Sequence, residues 1–294
     1  MCTFSTKGKT ISIFPSFEVT APIIYLNTFS NKGQKVFEAA QAAGCPPFTL
    51  VAISDLDWNH DMVPWDSPPA FKNAEPCTGG ADDYLQLITE EIIPTAEKEI
   101  NGVPRWRGIA GYSLAGLFAL YAIYQTDLFS RVGSMSGSLW FPGMKDYIFS
   151  REPKRWPDCT YFSLGNKESK TRKPVLRSVQ QNTEEIYAFY QSRGIETVFQ
   201  LNPGNHYNHV VERTAVGLCW LLSRWGTSLV RLYSLYRCVK NWYARPPKTL
   251  FFGHCKGTIS KTRTCKRALL NRRRQLCRTW SRRALLQQTI WVRS

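Results

Sequence analysis

Residues 10–15 (TISIFP) alternate apolar and polar positions as a half-buried strand does, and residues 21–27 (APIIYLN) form an apolar run suited to a buried strand. After a polar loop at 28–34, the stretch KVFEAAQAAG has helical spacing and stops at Gly44, before the breaker Pro46-Pro47. Residues 48–54 (FTLVAIS) are largely apolar, as a central parallel strand requires. A long loop, 55–80, follows. Residues 82–100 read as one amphipathic helix with acidic residues in its first turn, where the helix dipole favours them, and with Pro94 placed to kink it. Residues 105–124 run from an apolar strand through Gly111-Tyr112-Ser113-Leu114-Ala115-Gly116 into a helical pattern without a break. Further on come a short strand entering a Ser/Gly-rich loop (131–139), a strand (159–165), a helix (175–192), a strand (196–202), a turn and a helix (210–222). Strand and helix alternate with short connections. The pattern predicts an α/β fold with a mainly parallel sheet covered by helices on both faces.

The alternation ends at Leu222. Residues 223–294 contain 18 Lys and Arg and no Asp or Glu, so the formal charge of +16 belongs to this extension, while residues 1–222 carry 20 basic and 22 acidic side chains. The chain is therefore expected to divide into one α/β domain, 1–222, and a basic, poorly ordered extension, 223–294. Arg272-Arg273-Arg274 and Arg282-Arg283, with Trp242, Tyr243 and Trp280, have the chemistry to neutralise phosphates and stack on bases. A tether to nucleic acid or an anionic surface is thus one reading of the extension. A small basic domain is another. The lack of acids and of periodicity favours a third, an incidental tail such as a readthrough or frameshifted segment.

The opening residues, MCTFSTKGKT, lack the apolar centre of a secretory signal, and no apolar run approaches the roughly 18 residues of a bilayer span, so a cytoplasmic location is expected. Nine cysteines are scattered without framework or metal-ligand spacing, and reduced, mostly buried thiols are expected. His254, Cys255, Cys265 and Cys277 do not match zinc spacing either. No metal or cofactor is called for.

The chemistry concentrates on Ser113. A strand, a sharp turn and a helix with serine at the apex form a nucleophile elbow, and Gly111 and Ala115 supply the small residues that its backbone requires. A nucleophilic serine needs a base and a carboxylate to orient it, from loops leaving later strands. His206 follows the last strand and Glu168 lies three residues after Gly165, in the order serine, acid, histidine. His209 is the weaker candidate base. Asp158 and Glu196 are alternative acids, and a Ser-His dyad also fits. For the oxyanion, the N–H of Leu114 lies at a helix N-terminus, and a second donor is expected from Phe29 or else Thr28. Asp57, Trp58 and Trp65 in the long loop, with Trp140, are candidate pocket residues.

The segments PIIYLNTF, FTLVAISDLDWNHDMVPW, PCTGGADDYL, GYSLAGLFALY, SMSGSLWFPG, YFSLGNKESKTR and GNHYNHVVER resemble the esterases of the α/β-hydrolase superfamily that are similar to enterobactin-type siderophore esterases and esterase D. The resemblance covers roughly residues 10–222. It implies an α/β-hydrolase fold and a serine-dependent carboxylic-ester hydrolase acting on a small-molecule ester, with Ser113, Glu168 and His206 on the family's nucleophile, acid and base positions. Relatives often carry LGDKE where this chain has Leu164-Gly165-Asn166-Lys167-Glu168. Asn166 motivates a rival reading, a hydrolase fold that binds without catalysing. The acyl and alcohol groups and the oligomeric state are not assigned by sequence.

Overall fold

The computed structural model describes residues 1–70, 72–100 and 102–224; the predicted extension therefore lies outside the described residues except at Ser223 and Arg224. Ten strands and nine α-helices follow one another among these residues. β1 (Cys2–Thr6) and β2 (Lys9–Phe14) form an antiparallel hairpin that leads into β3 (Ile23–Asn27) and β4 (Thr49–Ser54), with α1 (Gly33–Ala42) between the last two. β7 (Arg107–Tyr112), β8 (Arg131–Met135), β9 (Cys159–Gly165) and β10 (Glu196–Asn202) complete an eight-stranded sheet. Its order is β1-β2-β4-β3-β7-β8-β9-β10, and every pair from β4 to β10 is parallel. This is the predicted mixed α/β fold. β1 was not anticipated, because its five residues, CTFST, set only Cys2 and Phe4 against the core, too short an alternation to stand out.

The fold itself selects one location for chemistry. The chain passes from β3 to β4 on one side and later returns beside β3 as β7, so the connections leaving β3 and β7 diverge and open a crevice at their carboxyl ends. Ser113 sits there, directly after β7, and so does Phe29, shortly after β3. α5 (Leu114–Gln125) runs from the crevice beneath the sheet, and every residue from Leu114 to Tyr124 is buried. A helix that is apolar all round must be covered all round.

Two apolar layers enclose the sheet. On one face, Val36 and Ala40 of α1 pack with Leu218 and Leu221 of α9 (Val210–Ser223) against Phe14, Leu50 and Tyr161. The other layer contains α5, with α3 (Ala81–Leu87), α4 (Ile93–Lys98), α6 (Met144–Ser150) and α8 (Val179–Ser192); α7 is the short turn Pro174–Arg177. Between α3 and α4 the chain makes a π-helical stretch, Ile88–Ile92. Pro94 follows it at the start of α4, so the expected kink takes the form of a widened turn before a residue that has no N–H to donate. The long loop contains a short helix, α2 (Trp58–Asp61), and a small hairpin of β5 (Asp66–Ser67) and β6 (Cys77–Thr78).

The expectation of reduced cysteines is corrected. Cys45, just beyond α1, and Cys219, in α9, form a disulfide whose Cα atoms are 4.7 Å apart although 174 positions separate them in sequence. Packing of α1 on α9 brings them together, and no spacing rule could reveal this. Cys2, Cys77 and Cys159 are free. No helix among the described residues is long and apolar enough to cross a membrane.

Candidate active site

Ser113 has φ 63° and ψ −127°, outside the regions open to ordinary side chains, and its own N–H donates to Met135 O at 3.1 Å. The turn is tight enough that a Cβ on Gly111 would lie 2.4 Å from the Ala115 backbone. Glycine at 111 therefore leaves room for alanine at 115, where a second glycine is the more usual residue. The bend points the Ser113 side chain into the crevice.

His206 and Glu168 approach it from the loops after β10 and β9. His206 Nε2 lies 3.0 Å from Ser113 Oγ, and His206 Nδ1 lies 2.8 Å from Glu168 Oε2. The two loops also hold each other. Asn166 Oδ1 accepts from Gly204 N–H at 3.1 Å, and the N–H of Lys167 donates to Gly204 O at 3.0 Å. Asn166 is thus a loop clamp, and the carboxylate facing His206 is Glu168. Close approach of the loops needs glycine at the end of β9, since a Cβ on Gly165 would lie 2.5 Å from Gly204 O.

Glu168 is buried and densely hydrogen-bonded. Its Oε1 accepts from Gly165 N–H at 2.5 Å, Ser136 Oγ at 2.7 Å and Arg213 Nη2 at 3.1 Å. Burial by itself would raise its pKa, but hydrogen bonding to His206, the His206 charge and the donors Gly165 and Ser136 outweigh it and hold the group at about 2. Arg213, itself buried, also contacts Ser136 Oγ, donates to Asn205 O at 3.3 Å and lies over the Tyr112 ring at 5.4 Å. Burial pushes the Tyr112 phenol up to about 12, so it stays protonated and donates to the His206 carbonyl at 2.7 Å. Neither Arg213 nor Ser136 was singled out in the sequence. The available signal was a cation in the buried register of α9, beside Thr214 and Gly217, because such a charge demands a partner.

The remaining candidates divide clearly. His209 is the exposed residue preceding α9, with φ 55°, and makes no contact with Ser113. Asp158 and Glu196 lie at the opposite end of β9 and β10 from the crevice, Asp158 immediately before β9 and Glu196 as the first residue of β10. Leu114 is the first residue of α5, so its N–H has no carbonyl one helical turn earlier. The Thr28 N–H is already given to Ile53 O at 2.9 Å, which leaves Phe29 as the free candidate donor of the β3 loop.

Two cavities meet at Ser113. The smaller, of about 310 Å³, lies between the starts of α1 and α9 and is walled by Leu26, Phe29, Val36, Val210 and Val211. The larger, of about 900 Å³, opens toward the loop after β9. Trp58 borders both, and Trp140 borders the larger. Asp57 and Trp65 border neither; the Trp65 indole donates to Pro142 O at 2.9 Å and its ring packs on Phe141 and Tyr147. No cluster among the described residues has the His, Cys, Asp and Glu content to hold a metal ion.

An α/β sheet with a serine, histidine and carboxylate aligned at its switch point defines the class of α/β-hydrolase-type proteins. The model of the Esterase family, described as "Putative esterase", matches residues 27–214, and the chain belongs to that family. It is by family a carboxylic-ester hydrolase. The uncharacterized protein YbbA of Bacillus subtilis is 23% identical over 230 residues, covering 73% of this chain and 92% of that protein. Among solved structures, the fold is similar to siderophore hydrolase EstA from Aspergillus nidulans, with a TM-score of 0.61 and 19% identity over 76% of this chain and 94% of the other. It is similar also to an IroE-like serine hydrolase from Shewanella oneidensis, with a TM-score of 0.61 and 16% identity over 75% of this chain and 79% of the other.

Proposed function

We propose that the protein hydrolyses carboxylic esters through an acyl-enzyme formed on Ser113. The observation that carries this reading is the unbroken hydrogen-bonded line from Ser113 Oγ to His206 to Glu168, at 3.0 and 2.8 Å. His206 Nε2 takes the serine proton as Oγ attacks the ester carbonyl. Glu168, anionic at any pH above its depressed pKa, accepts the Nδ1 proton in a hydrogen bond, fixes the tautomer and stabilises the imidazolium. The N–H groups of Leu114 and Phe29 face the oxyanion that develops at the carbonyl oxygen. The imidazolium protonates the leaving alcohol. Water then enters, gives its proton to His206 and releases the acid. The first proton transfer, from Ser113 to His206, runs between groups already within hydrogen-bonding reach of each other.

A fluorophosphonate reagent tests the assignment directly. It is expected to label the protein at Ser113 and to leave Ser113→Ala unlabelled, with ester turnover falling in parallel. Equal labelling of both forms would discard Ser113 as nucleophile. The rival reading, binding without catalysis, predicts ligand retention with negligible turnover in the unmodified protein.

A further inference from the structure

The larger cavity has a lining of two unlike kinds. Trp58 and Trp140 are aromatic, whereas the loop leaving β9 contributes Lys167, Lys170, Arg172 and Lys173. These four cations fall within seven consecutive residues, in a body whose overall charge is close to balanced. Cations on a loop are commonly answered by neighbouring carboxylates, and here Glu168 and the acids of α8 are engaged elsewhere. Glu168, on the same loop, is taken up by His206 and Arg213. On α8, Glu184 accepts from Gln180, and Glu185 accepts from Gln181 and pairs with Lys145. Among the described residues, no ion pair joins Lys167, Lys170 or Arg172 to a carboxylate. Glu75 also borders the cavity, so the wall keeps a surplus of positive charge.

The segment's backbone is well tied. The N–H of Lys170 donates to Lys167 O at 3.1 Å, and Arg177 Nε donates to Thr171 O at 2.9 Å. The charges are therefore displayed from a fixed turn that shares one cavity with Ser113. Low-dielectric aromatic lining in a cavity that also carries cations strengthens the field within it.

Resting on the esterase reading, we propose that this wall selects esters that carry a carboxylate on the part of the molecule lying in the larger cavity, with Lys170 and Arg172 as specificity-determining residues. Arg172 offers a planar fork matched to a carboxylate, and Lys170 a mobile point charge. The hydrolysed bond is the ester at Ser113, and the carboxylate is not consumed. An ester with an aromatic body and an acid at its far end matches both the aromatic and the cationic lining.

The test compares kcat/KM for 4-acetoxybenzoate with that for 4-acetoxybenzamide, and for the same pair lengthened by one glycine, in the unmodified protein and in the double variant Lys170→Ala/Arg172→Ala. The ratio of acid to amide within one preparation does not depend on the fraction of folded protein. The change of that ratio between proteins does not depend on the intrinsic reactivity of the esters. The expected result, for at least one pair, is a ratio that falls about tenfold in the double variant, falls further in Arg172→Glu, and declines in the unmodified protein as salt is raised. Ratios that stay constant in both pairs, whether the individual rates hold or drop together, would overturn the proposal while leaving the esterase reading intact. Absence of turnover of all four esters by the unmodified protein would instead sink the esterase reading and this inference with it.

Discussion

In the proposed mechanism, the base side of Ser113 works through side chains: His206, Glu168 and, behind them, Arg213 and Ser136, with Glu168 receiving three donors on one oxygen alone. On the oxyanion side the same proposal assigns the work to peptide N–H groups, that of Leu114 at a helix start and that of Phe29, which is 61% exposed and packs edge-on against Trp58. The base side holds its geometry through a buried network, the other through the path of the backbone. Substitution should therefore act very differently on the two sides. On the first, changing a side chain removes the function, whereas on the second it leaves the function in place unless the N–H itself is lost.

The base side should be the more sensitive. His206→Ala is expected to lower kcat/KM by about 10⁴-fold or more, because it removes the group proposed to accept the serine proton and to return one to the leaving alcohol. Steady-state hydrolysis of an activated ester measures this. A loss below tenfold would mean that proton transfer does not pass through His206, and the contrast between the two sides would collapse.

Glu168→Gln should follow, with a loss of about 10³-fold from the wrong imidazole tautomer. It also changes stability, since the neutral amide leaves buried Arg213 facing no charge. The sign follows from the depressed pKa. A carboxylate held at about 2, against an ordinary 4.5, stabilises the folded state fully above pH 4.5 and loses that contribution as pH falls toward 2. The contribution amounts to about 3 kcal/mol from 1.36 kcal/mol per pKa unit. Denaturant titrations between pH 7 and 2 should show this acid-side loss in the unmodified protein and a correspondingly flatter profile in Glu168→Gln. A parallel pair of profiles would contradict the buried network as drawn.

The oxyanion side is broken through the backbone. Phe29→Pro removes one N–H and is expected to cost about 10²-fold in kcat, while Phe29→Ala keeps that donor and should cost less than fivefold. If the alanine variant were as impaired as the proline variant, Phe29 would act through its ring, and the distinction between side-chain and backbone function would have to be redrawn.

Legibility in the sequence follows the same division. Ser113, His206 and Glu168 could be read because each has a distinctive side chain in a distinctive place: an apex between strand and helix, or a loop leaving a strand. The alternating strands and helices were legible because burial on both faces leaves largely apolar runs in β3 and β4. The choice between Phe29 and Thr28 was not, since it depends on the Thr28 N–H being spent on Ile53 O across the sheet. Arg213 escaped notice because its value lies in a pairing with a residue 45 positions away. Asn166 looked like a weakened acid only until the fold gave its amide oxygen to Gly204.

The disulfide is the extreme case of such distant pairing and should matter least to chemistry. It joins the two helices whose beginnings flank the smaller cavity, yet Cys45 lies just beyond the far end of α1 and Cys219 well along α9, away from Ser113. Closing so long a loop restricts the unfolded chain, and cross-links of this kind contribute about 2 to 4 kcal/mol. Cys45→Ala/Cys219→Ala is therefore expected to lower the denaturation midpoint while changing kcat/KM by less than about threefold at 25 °C, because α1 and α9 remain packed through Val36, Ala40, Leu218 and Leu221. Dithiothreitol should shift the midpoint of the unmodified protein in the same direction and leave that of the double variant unmoved. A large loss of turnover with an unchanged midpoint would show that the cross-link holds the cavity walls at their working separation, and would extend the side-chain half of the site to a pair of residues remote from Ser113.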